Sequence, residues 1–483
     1  YGDHRDLPSF PTRRSSDLAV VSDSRQVVAG SLFVAVRGEK ADGRAYIPEA
    51  IRRGCAAVVV DLDDGLDLTA PVIVVADSHA AISEAAAAWN GYPAERMRMI
   101  GITGTNGKTT TTRLINHIVA SSGLRTGMTN TDGVYVDGRQ TDSGDCSGPK
   151  SARNVLLHPD VDAAVFEVAR GGVLREGLGF DRCSVAVVTN IGSGDHLGLN
   201  YITTVEDLAV LKRVVVRNVA PGGYAVLNAA DPNVAAMATN CPGEVIFFAA
   251  DRQHPVMATH RAQGKRTVYV DQDTVVAAEG SWRERIALRD VPITRGGSIG
   301  FQVDNVMAAV AAAWAVGLDW DTIRSGLASF LNDAAGVPGR FNVMDYRGAT
   351  VIADYGHNTD AMRALVSAVD TMPAKKRSVV ISGAGDRRDS DIRDQTAILG
   401  QAFDDVILYQ DAAQRGRADG EVMGLLRQGL QGATRTRQID EIRGEFIAID
   451  AALARLQPGD LSLILVDQVD EALAHLAKRI AEG

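Results

Sequence analysis

The sequence predicts an α/β protein whose centre is a mostly parallel sheet carrying a phosphate loop and whose C-terminal part is Rossmann-like. Three observations carry that prediction. Continuous apolar runs alternate with helical stretches through most of the 483 residues, the pattern of strands covered on both faces by crossover helices. A glycine loop, GITGTNGKTTTT at 101–112, stands between a strand-like and a helix-like run. The strand–helix alternation then begins again at about residue 336.

The elements follow in order. The first 18 residues, YGDHRDLPSFPTRRSSDL, have neither an apolar core nor an amphipathic period; they resemble an extraneous adaptor-derived remnant and are left out of the fold expectation. Residues 19–97 read as a small α/β domain, with strands at SLFVAV (31–36), CAAVVVDL (55–62) and PVIVVAD (71–77) and a helix through SHAAISEAAAAWN. GYPAERMR reads as the linker out of it. Residues 98–335 form the central segment: strand RMIGIT, the glycine loop, helix TTTTRLINHIVASSG, then strands at DAAVFEVA, CSVAVVTNI and YAVLNA. Residues 336–483 hold strands at TVIADY, RSVVISGAG, DDVILYQD and DLSLILVDQ. Ligands in such sheets bind beyond the carboxyl ends of the strands, and the chemistry-bearing motifs fall there.

Composition bounds the function. The formal net charge is −10, which argues against a nucleic-acid partner held by broad phosphate neutralisation. No apolar run reaches the ~20 residues of a spanning helix, so no membrane partner is expected. The four cysteines, Cys55, Cys146, Cys183 and Cys241, form no C-x-x-C pair and read as reduced thiols, in keeping with a cytoplasmic location.

In the loop, Gly104 and Gly107 allow close backbone approach, Lys108 can pair with a phosphate and the Thr109 hydroxyl can reach Mg²⁺. The common G-x-x-x-x-G-K-[ST] spacing would put glycine at 102, where Ile102 stands. A G-K-T triplet also occurs in ordinary turns; the flanking strand and helix argue against that here. Glu167 ends one strand, Asp195 and His196 follow another, and Lys212 lies in a helix-like run, VEDLAVLKRVV. A carboxylate and an imidazole at neighbouring strand ends can hold a divalent ion beside the loop. Taken singly, a histidine is more often structural and a lysine more often a solvated helix residue; the order loop, Glu, Asp-His, Lys carries the reading.

TGTNGKTTT, EVARGG, NIGSGDHLG, Lys212, LNAADP, VPGRFN, ADYGHN and GDRRD together resemble the Mur ligase superfamily, ATP-dependent ligases joining a carboxylate to an amine. The resemblance accounts for Ile102, because the family's loop has the TGTNGKT form. It implies a three-domain Mur ligase architecture. From about 98 to 470 the chain is most similar to the C-terminal ligase part of cyanophycin synthetases, through TDGVYVDG, GDCSGPKSA, EVARGGVLREGLGFD, ILYQDAAQRGRADGE and LVDQVDEAL. Residues 22–57 instead resemble the first domain of the MurE type, whose D-S-R region helps hold a uridine nucleotide. Cyanophycin synthetases carry an ATP-grasp module ahead of their Mur part, and none stands in this sequence; the expectation is a hybrid of muramyl-ligase front and cyanophycin-synthetase-like body.

The resemblance also implies roles. Gly104, Thr105, Asn106, Gly107, Lys108, Thr109 and Thr110 form the ATP loop. Asn305, Asp354 and His357 match nucleotide contacts, and Arg340 a phosphate-side arginine. Thr109 matches the Mg²⁺ contact, and Glu167 and His196 match the ligands of a second metal. Lys212 matches a lysine that is carbamylated in several muramyl ligases. The catalytic set is then Lys108, Lys212, His196 and Arg340; Asp23, Ser24 and Arg25 and, near the C-terminus, Asp411, Arg415 and Arg417 are the substrate-binding candidates. There are departures: Ala230 where a first Asp is frequent, Gln302 where Asn is common, Gly356 for Ala, and DAAQRGR in place of the D-N-P-R that reads diaminopimelate or lysine. Arg415 and Arg417 also admit a plain reading as solvated loop residues.

The function implied is amide-bond formation through an acyl phosphate, using ATP and Mg²⁺, an amino acid, and a small-molecule or peptide acceptor. The cyanophycin-like body favours an amino-acid polymer or peptide acceptor; the front favours a UDP-linked muramyl peptide. A non-ligating P-loop ATPase has no need of the ADYGHN residues, and a nicotinamide dehydrogenase is disfavoured because GAGDRRD lacks the G-x-G-x-x-G spacing.

Overall fold

A computed structural model of the chain describes residues 20–36, 42–61, 69–89, 91–198, 201–410 and 415–482. Residues 1–18 and Asp411 lie outside them. The chain forms two compact units, Tyr1–Arg96 and Met97–Gly483, dividing inside the stretch expected as a linker, where a short helix, Pro93–Arg96, ends the first.

The first unit holds a four-stranded parallel sheet of Val20–Val21, Leu32–Val34, Ala57–Val60 and Val72–Val74. These strands are shorter than the apolar runs that predict them. Phe33, Ile47, Val58 and Val60 form its core.

The second and third segments of the sequence lie together in the second unit. Its larger sheet has eleven strands, seven of them consecutive parallel neighbours. In spatial order these seven are Thr267–Asp271, Glu244–Asp251, Val219–Asn228, Cys183–Val188, Arg98–Thr103, Ala163–Glu167 and Thr126–Asn130. Antiparallel strands extend both edges: Thr274–Glu279 and Trp282–Ala287 on one side, Gly133–Val136 and Arg139–Ser143 on the other. The chain leaves Arg98–Thr103 toward one edge, returns through Ala163–Glu167 beside it, and then crosses to Cys183–Val188 on its other side. That reversal is the switch point at which open α/β sheets form their crevice. It places the ends of three strands side by side: the glycine loop, Glu167, and the segment from Thr189 to His196.

The loop feeds the helix Lys108–Ser121, which buries Leu114, Ile115, Ile118 and Val119. This face packs on the long alanine-rich helix Gly300–Ala315, whose small side chains let it lie close against both that helix and the sheet. The C-terminal sheet has six strands in the order Asn342–Tyr346, Ala349–Asp354, Leu461–Leu465, Arg377–Ile381, Asp405–Gln410 and Gln438–Arg443. All neighbours are parallel except the first pair, in keeping with the Rossmann-like expectation. The last of these strands, Gln438–Arg443, is not legible as an apolar run because it alternates polar and apolar residues, and the edge strand Arg139–Ser143 because it is polar throughout.

Leu114 is fully buried between the loop-bearing helix and the sheet. Leu114→Ala should lower stability by about 2–5 kcal/mol, read as a reduced denaturant midpoint.

Candidate functional site

A cleft of about 580 Å³ opens where the switch point of the central sheet meets the C-terminal sheet. Its lining includes every loop residue from Gly104 to Thr110 together with Glu167, Asp195, His196, Lys212, Asn305, Arg340, Asp354 and His357. The tertiary fold therefore assembles at one place the residues that the sequence spreads over more than two hundred positions.

The loop's shape is imposed from the neighbouring strand end. Thr105 donates its N–H to the Asn190 carbonyl (2.8 Å) and its hydroxyl to the Ile191 carbonyl (2.9 Å). Asn106 donates its N–H to Asn190 Oδ1 (2.9 Å), and its carbonyl accepts from Thr189 Oγ1 (2.7 Å) and Asn190 Nδ2 (3.1 Å). Gly104 has φ 149°, and a Cβ there would lie 1.9 Å from Thr189 Oγ1. Gly107 has φ 80°, and its Cβ would lie 2.3 Å from Asn305 Oδ1. Both glycines are thus required by backbone conformation and by close approach at once.

Two lysines face the loop. Lys108 Nζ donates to the Thr105 carbonyl (2.9 Å). Lys212 Nζ, brought in by the helix Val205–Arg217, donates to the Gly104 carbonyl (2.5 Å). Lys212 is buried, and that burial, reinforced by the charge of Lys108, pushes its amine well below the ordinary lysine range. Asn305 accepts from Thr111 (3.2 Å) and is oriented by Gln302 (2.9 Å), so the glutamine at 302 has a positioning task.

Glu167 is 2 % exposed. One carboxylate oxygen accepts from Thr109 Oγ1 (2.9 Å) and the other from Thr131 Oγ1 (2.9 Å). Hydroxyl and carboxylate oxygens at this separation are the hard donors that suit Mg²⁺, so Thr109 and Glu167 fit the ion that the loop implies. His196 is placed differently from the sequence expectation. It clusters with Asp195 and His357, their ligating atoms all within 4.8 Å of one another, and Glu167 is not in that cluster. The Arg387 guanidinium donates to His196 Nδ1 and pairs with Asp195 (3.3 Å). Asp195, His196 and His357 are the group among the described residues whose spacing could hold a metal ion.

Burial pushes His196 down to about 4, the positive charge of Arg387 adding to the effect and Asp195 opposing it. Burial also lowers His357, whose Nδ1 lies 2.7 Å from the Tyr355 carbonyl and donates to it, leaving Nε2 as an acceptor. Burial alone would raise Asp195, yet His357, Arg387, His196 and Lys108 hold it below the usual carboxylate range. Asp354 accepts from the N–H groups of Phe341 (2.8 Å) and Gly356 (2.6 Å), while burial pushes its carboxyl up to about 6 against the charge of Arg340. Arg340 lies over the Tyr355 ring, 5.2 Å from its centroid.

Four further residues belong here. Arg387, 2 % exposed in its side chain, comes from the GDRRD motif at the end of strand Arg377–Ile381. Arg170, from EVARGG, lines the cleft, and its burial lowers its pKa. Asn190 shapes the loop. Asn358 exchanges two hydrogen bonds with Asn106 (2.8 and 3.2 Å), tying the C-terminal domain to the loop. The available signal was position: each follows a strand end inside a motif already singled out.

Of the substrate candidates in the second unit, Arg415 and Arg417 are not part of the cleft lining. In the first unit Asp23 caps the short helical turn Ser24–Gln26 and pairs with Arg25 (2.7 Å), which lowers Asp23 to about 2; Ser24 donates to Glu49 (3.1 Å). Arg415 bridges Asp386 (3.5 Å) and Asp467 (3.1 Å). Arg417 donates to the carbonyls of Gly385 (2.8 Å) and Arg387 (2.6 Å) and pairs with Asp389 and Glu421. Both arginines thus brace the loop that presents Arg387, Arg417 half-buried and Arg415 still exposed to solvent.

Comparison with known proteins follows the same division of the chain. Residues 19–102 match the Mur ligase family catalytic domain, 102–313 the Mur ligase middle domain, and 339–465 the Mur ligase glutamate ligase domain. Cyanophycin synthetase from Synechocystis sp. is 39% identical over 392 residues, 81% of this chain. The chain spans only 44% of the length of that relative. The UDP-N-acetylmuramoyl-L-alanyl-D-glutamate–2,6-diaminopimelate ligase of Chlorobium phaeobacteroides is 29% identical over 457 residues, 92% of this chain and 86% of that protein. Among solved structures, the MurF ligase of Thermotoga maritima in complex with ADP has the same fold, with a TM-score of 0.55 at 20% identity, covering 97% of this chain and 98% of that one. No helix among the described residues is long and apolar enough to cross a membrane.

Two outcomes are expected. Gly104→Ala should abolish ATP binding measured by calorimetry, because the loop must move to clear Thr189. Asp304, which lines the cleft, is pushed by burial from 3.8 up to about 6. The folded chain holds that proton more tightly than the unfolded one, so the stability it contributes is lost as pH rises from 3.8 to about 6. Asp304→Asn should therefore be more favourable relative to wild type at pH 7 than at pH 4, by about 2 kcal/mol, in paired denaturation curves.

Proposed function

This chain belongs to the Mur ligase family, and from that membership and the geometry of the cleft we propose that it is an ATP-dependent ligase joining a carboxylate to an amine through an acyl phosphate. The observation that carries the reading is one cleft lined both by the phosphate loop of the central domain and by Arg340, Asp354 and His357 of the C-terminal domain. A simple nucleotide switch needs only the first.

The chemistry follows from what these groups can do. Carboxylates do not react with amines at neutral pH, so the acceptor carboxylate first attacks the γ-phosphate, giving acyl phosphate and ADP. The amine then adds to the acyl carbon, and the tetrahedral intermediate collapses with loss of phosphate to leave the amide. Loop N–H groups and Lys108 hold the transferring phosphate, while Arg340 and Arg387 stand ready on the C-terminal side for its charge. Mg²⁺ bound between Thr109 and Glu167 would neutralise phosphate charge. Packing of the C-terminal domain over the loop excludes the water that would hydrolyse the acyl phosphate.

Lys212 has a further part in this reading. Burial pushes its amine toward the neutral form, the form that adds CO₂. Carbamylation would set two anionic oxygens beside the loop, where an ammonium supplies none. Protein equilibrated with ¹³C-labelled CO₂ should give a carbamate resonance that Lys212→Ala lacks; a wild-type spectrum without it would exclude the modification.

The body of the chain, from its likeness to cyanophycin synthetase, favours an amino-acid polymer or peptide as acceptor. A second reading, a UDP-linked muramyl peptide, is favoured by the match of residues 19–102 to the family's first domain and by the longer span shared with the diaminopimelate ligase. A phosphate-release screen crossing amino acids with aspartyl peptides, polyaspartate and UDP-muramyl peptides separates them. Release should require both acceptor and amine and should fall at least ~10³-fold in Lys108→Ala; release independent of acceptor would reduce the protein to an ATPase.

A further inference from the structure

The segment Ile191–His196, which carries Asp195 and His196, is gripped from two domains. Asp231 Oδ2, in the central domain, accepts the N–H of Ile191 (2.7 Å) and of Gly192 (2.8 Å). Asp360 Oδ2, in the first turn of the C-terminal helix Thr359–Asp370, accepts the next N–H, that of Ser193 (2.7 Å), and its hydroxyl (2.8 Å). Three consecutive amides are thus divided between two carboxylates from two domains. Gly192 has φ 58°, and a Cβ there would lie 2.3 Å from Asp360 Oδ2, so the backbone reaches this carboxylate only as glycine. Four residues on, His196 has φ 56°, in the left-handed region that most side chains other than Asn, Asp and His avoid. Its side chain, with that of Asp195, then meets Arg387 of the C-terminal domain.

We propose that Asp360 is a positioning residue: when the C-terminal domain packs on the central domain, it captures the Ser193 amide and so sets Asp195 and His196 against Arg387. Closure and assembly of the charged end of the cleft become one event. Without Asp360, Asp231 still holds Ile191 and Gly192, but the turn beyond them is free to swing Asp195 and His196 away. Arg363, which pairs with the other oxygen of Asp360 (2.9 Å), shares the helix but does not touch the segment, and serves as a control.

The kinetic part of this proposal rests on the ligase reading; the structural part does not. Asp360→Ala should lower kcat for acceptor-dependent phosphate release by about 100-fold with little change in KM for ATP, because the phosphate loop is held elsewhere. Asp360→Asn, which keeps the shape and one acceptor oxygen, should recover part of the loss, and Arg363→Ala should stay near wild type. In parallel, hydrogen exchange of the amides at 191–196 should slow when a non-hydrolysable ATP analogue is added to wild type, and should not slow with Asp360→Ala. Wild-type kcat and protection in Asp360→Ala, or an equal loss in Arg363→Ala, would overturn the proposal. If wild type itself releases no phosphate with any acceptor, the ligase reading fails, and the exchange experiment on Asp360→Ala alone decides the positioning role.

Discussion

The carbonyl of Asn106 accepts from Thr189 Oγ1 and Asn190 Nδ2, and through these bonds the phosphate loop takes its shape from the next strand in the sheet. A loop containing Gly104 and Gly107 has many conformations available, and the ordering cost of choosing one is met by hydrogen bonds to a rigid strand end. Everything else in the cleft is referenced to that choice. Lys108 and Lys212 bond to loop carbonyls, Thr109 reaches Glu167, and the close approach of Asn305 sets how near the helix Gly300–Ala315 stands.

The cleft also concentrates charge where water is scarce. Lys212, Arg387 and Glu167 are all nearly inaccessible, and burying ions is costly unless they are paired or change protonation. Each remedy is present. Arg387 meets Asp195, Glu167 is satisfied by two hydroxyls, and Lys212 and the two histidines favour their neutral forms. The result is a site poised for an anion: donors and cations outnumber the carboxylates left to repel a phosphate. Arg415 and Arg417 serve the same end at one remove, since their bonds brace the GDRRD loop that delivers Arg387.

Much of this was legible in the sequence, for physical reasons that differ by element. Strands buried on both faces announce themselves as apolar runs, so Arg98–Thr103, Ala163–Glu167 and Cys183–Val188 could be read directly. The edge hairpin could not, because Gly133–Val136 is only four residues long and Arg139–Ser143 is polar and exposed throughout. Lys108, Glu167 and His357 could be placed from motif and strand end. Arg387 stood in a motif already noticed, but nothing in GDRRD tells which arginine turns inward.

What the sequence determined alone is therefore the material: an α/β chain, a glycine loop that only small residues permit, and chemistry-bearing side chains at strand ends, because periodicity and steric freedom are local properties. What the tertiary structure decided is partnership. Strand order put Thr189–Ile191 beside the loop and made it a template. Packing of the C-terminal sheet gave His196 to Arg387 and His357 instead of Glu167, and turned Asp360 onto the Ser193 amide. Such contacts join residues up to 252 positions apart, and only strand order and domain packing bring them within hydrogen-bonding reach.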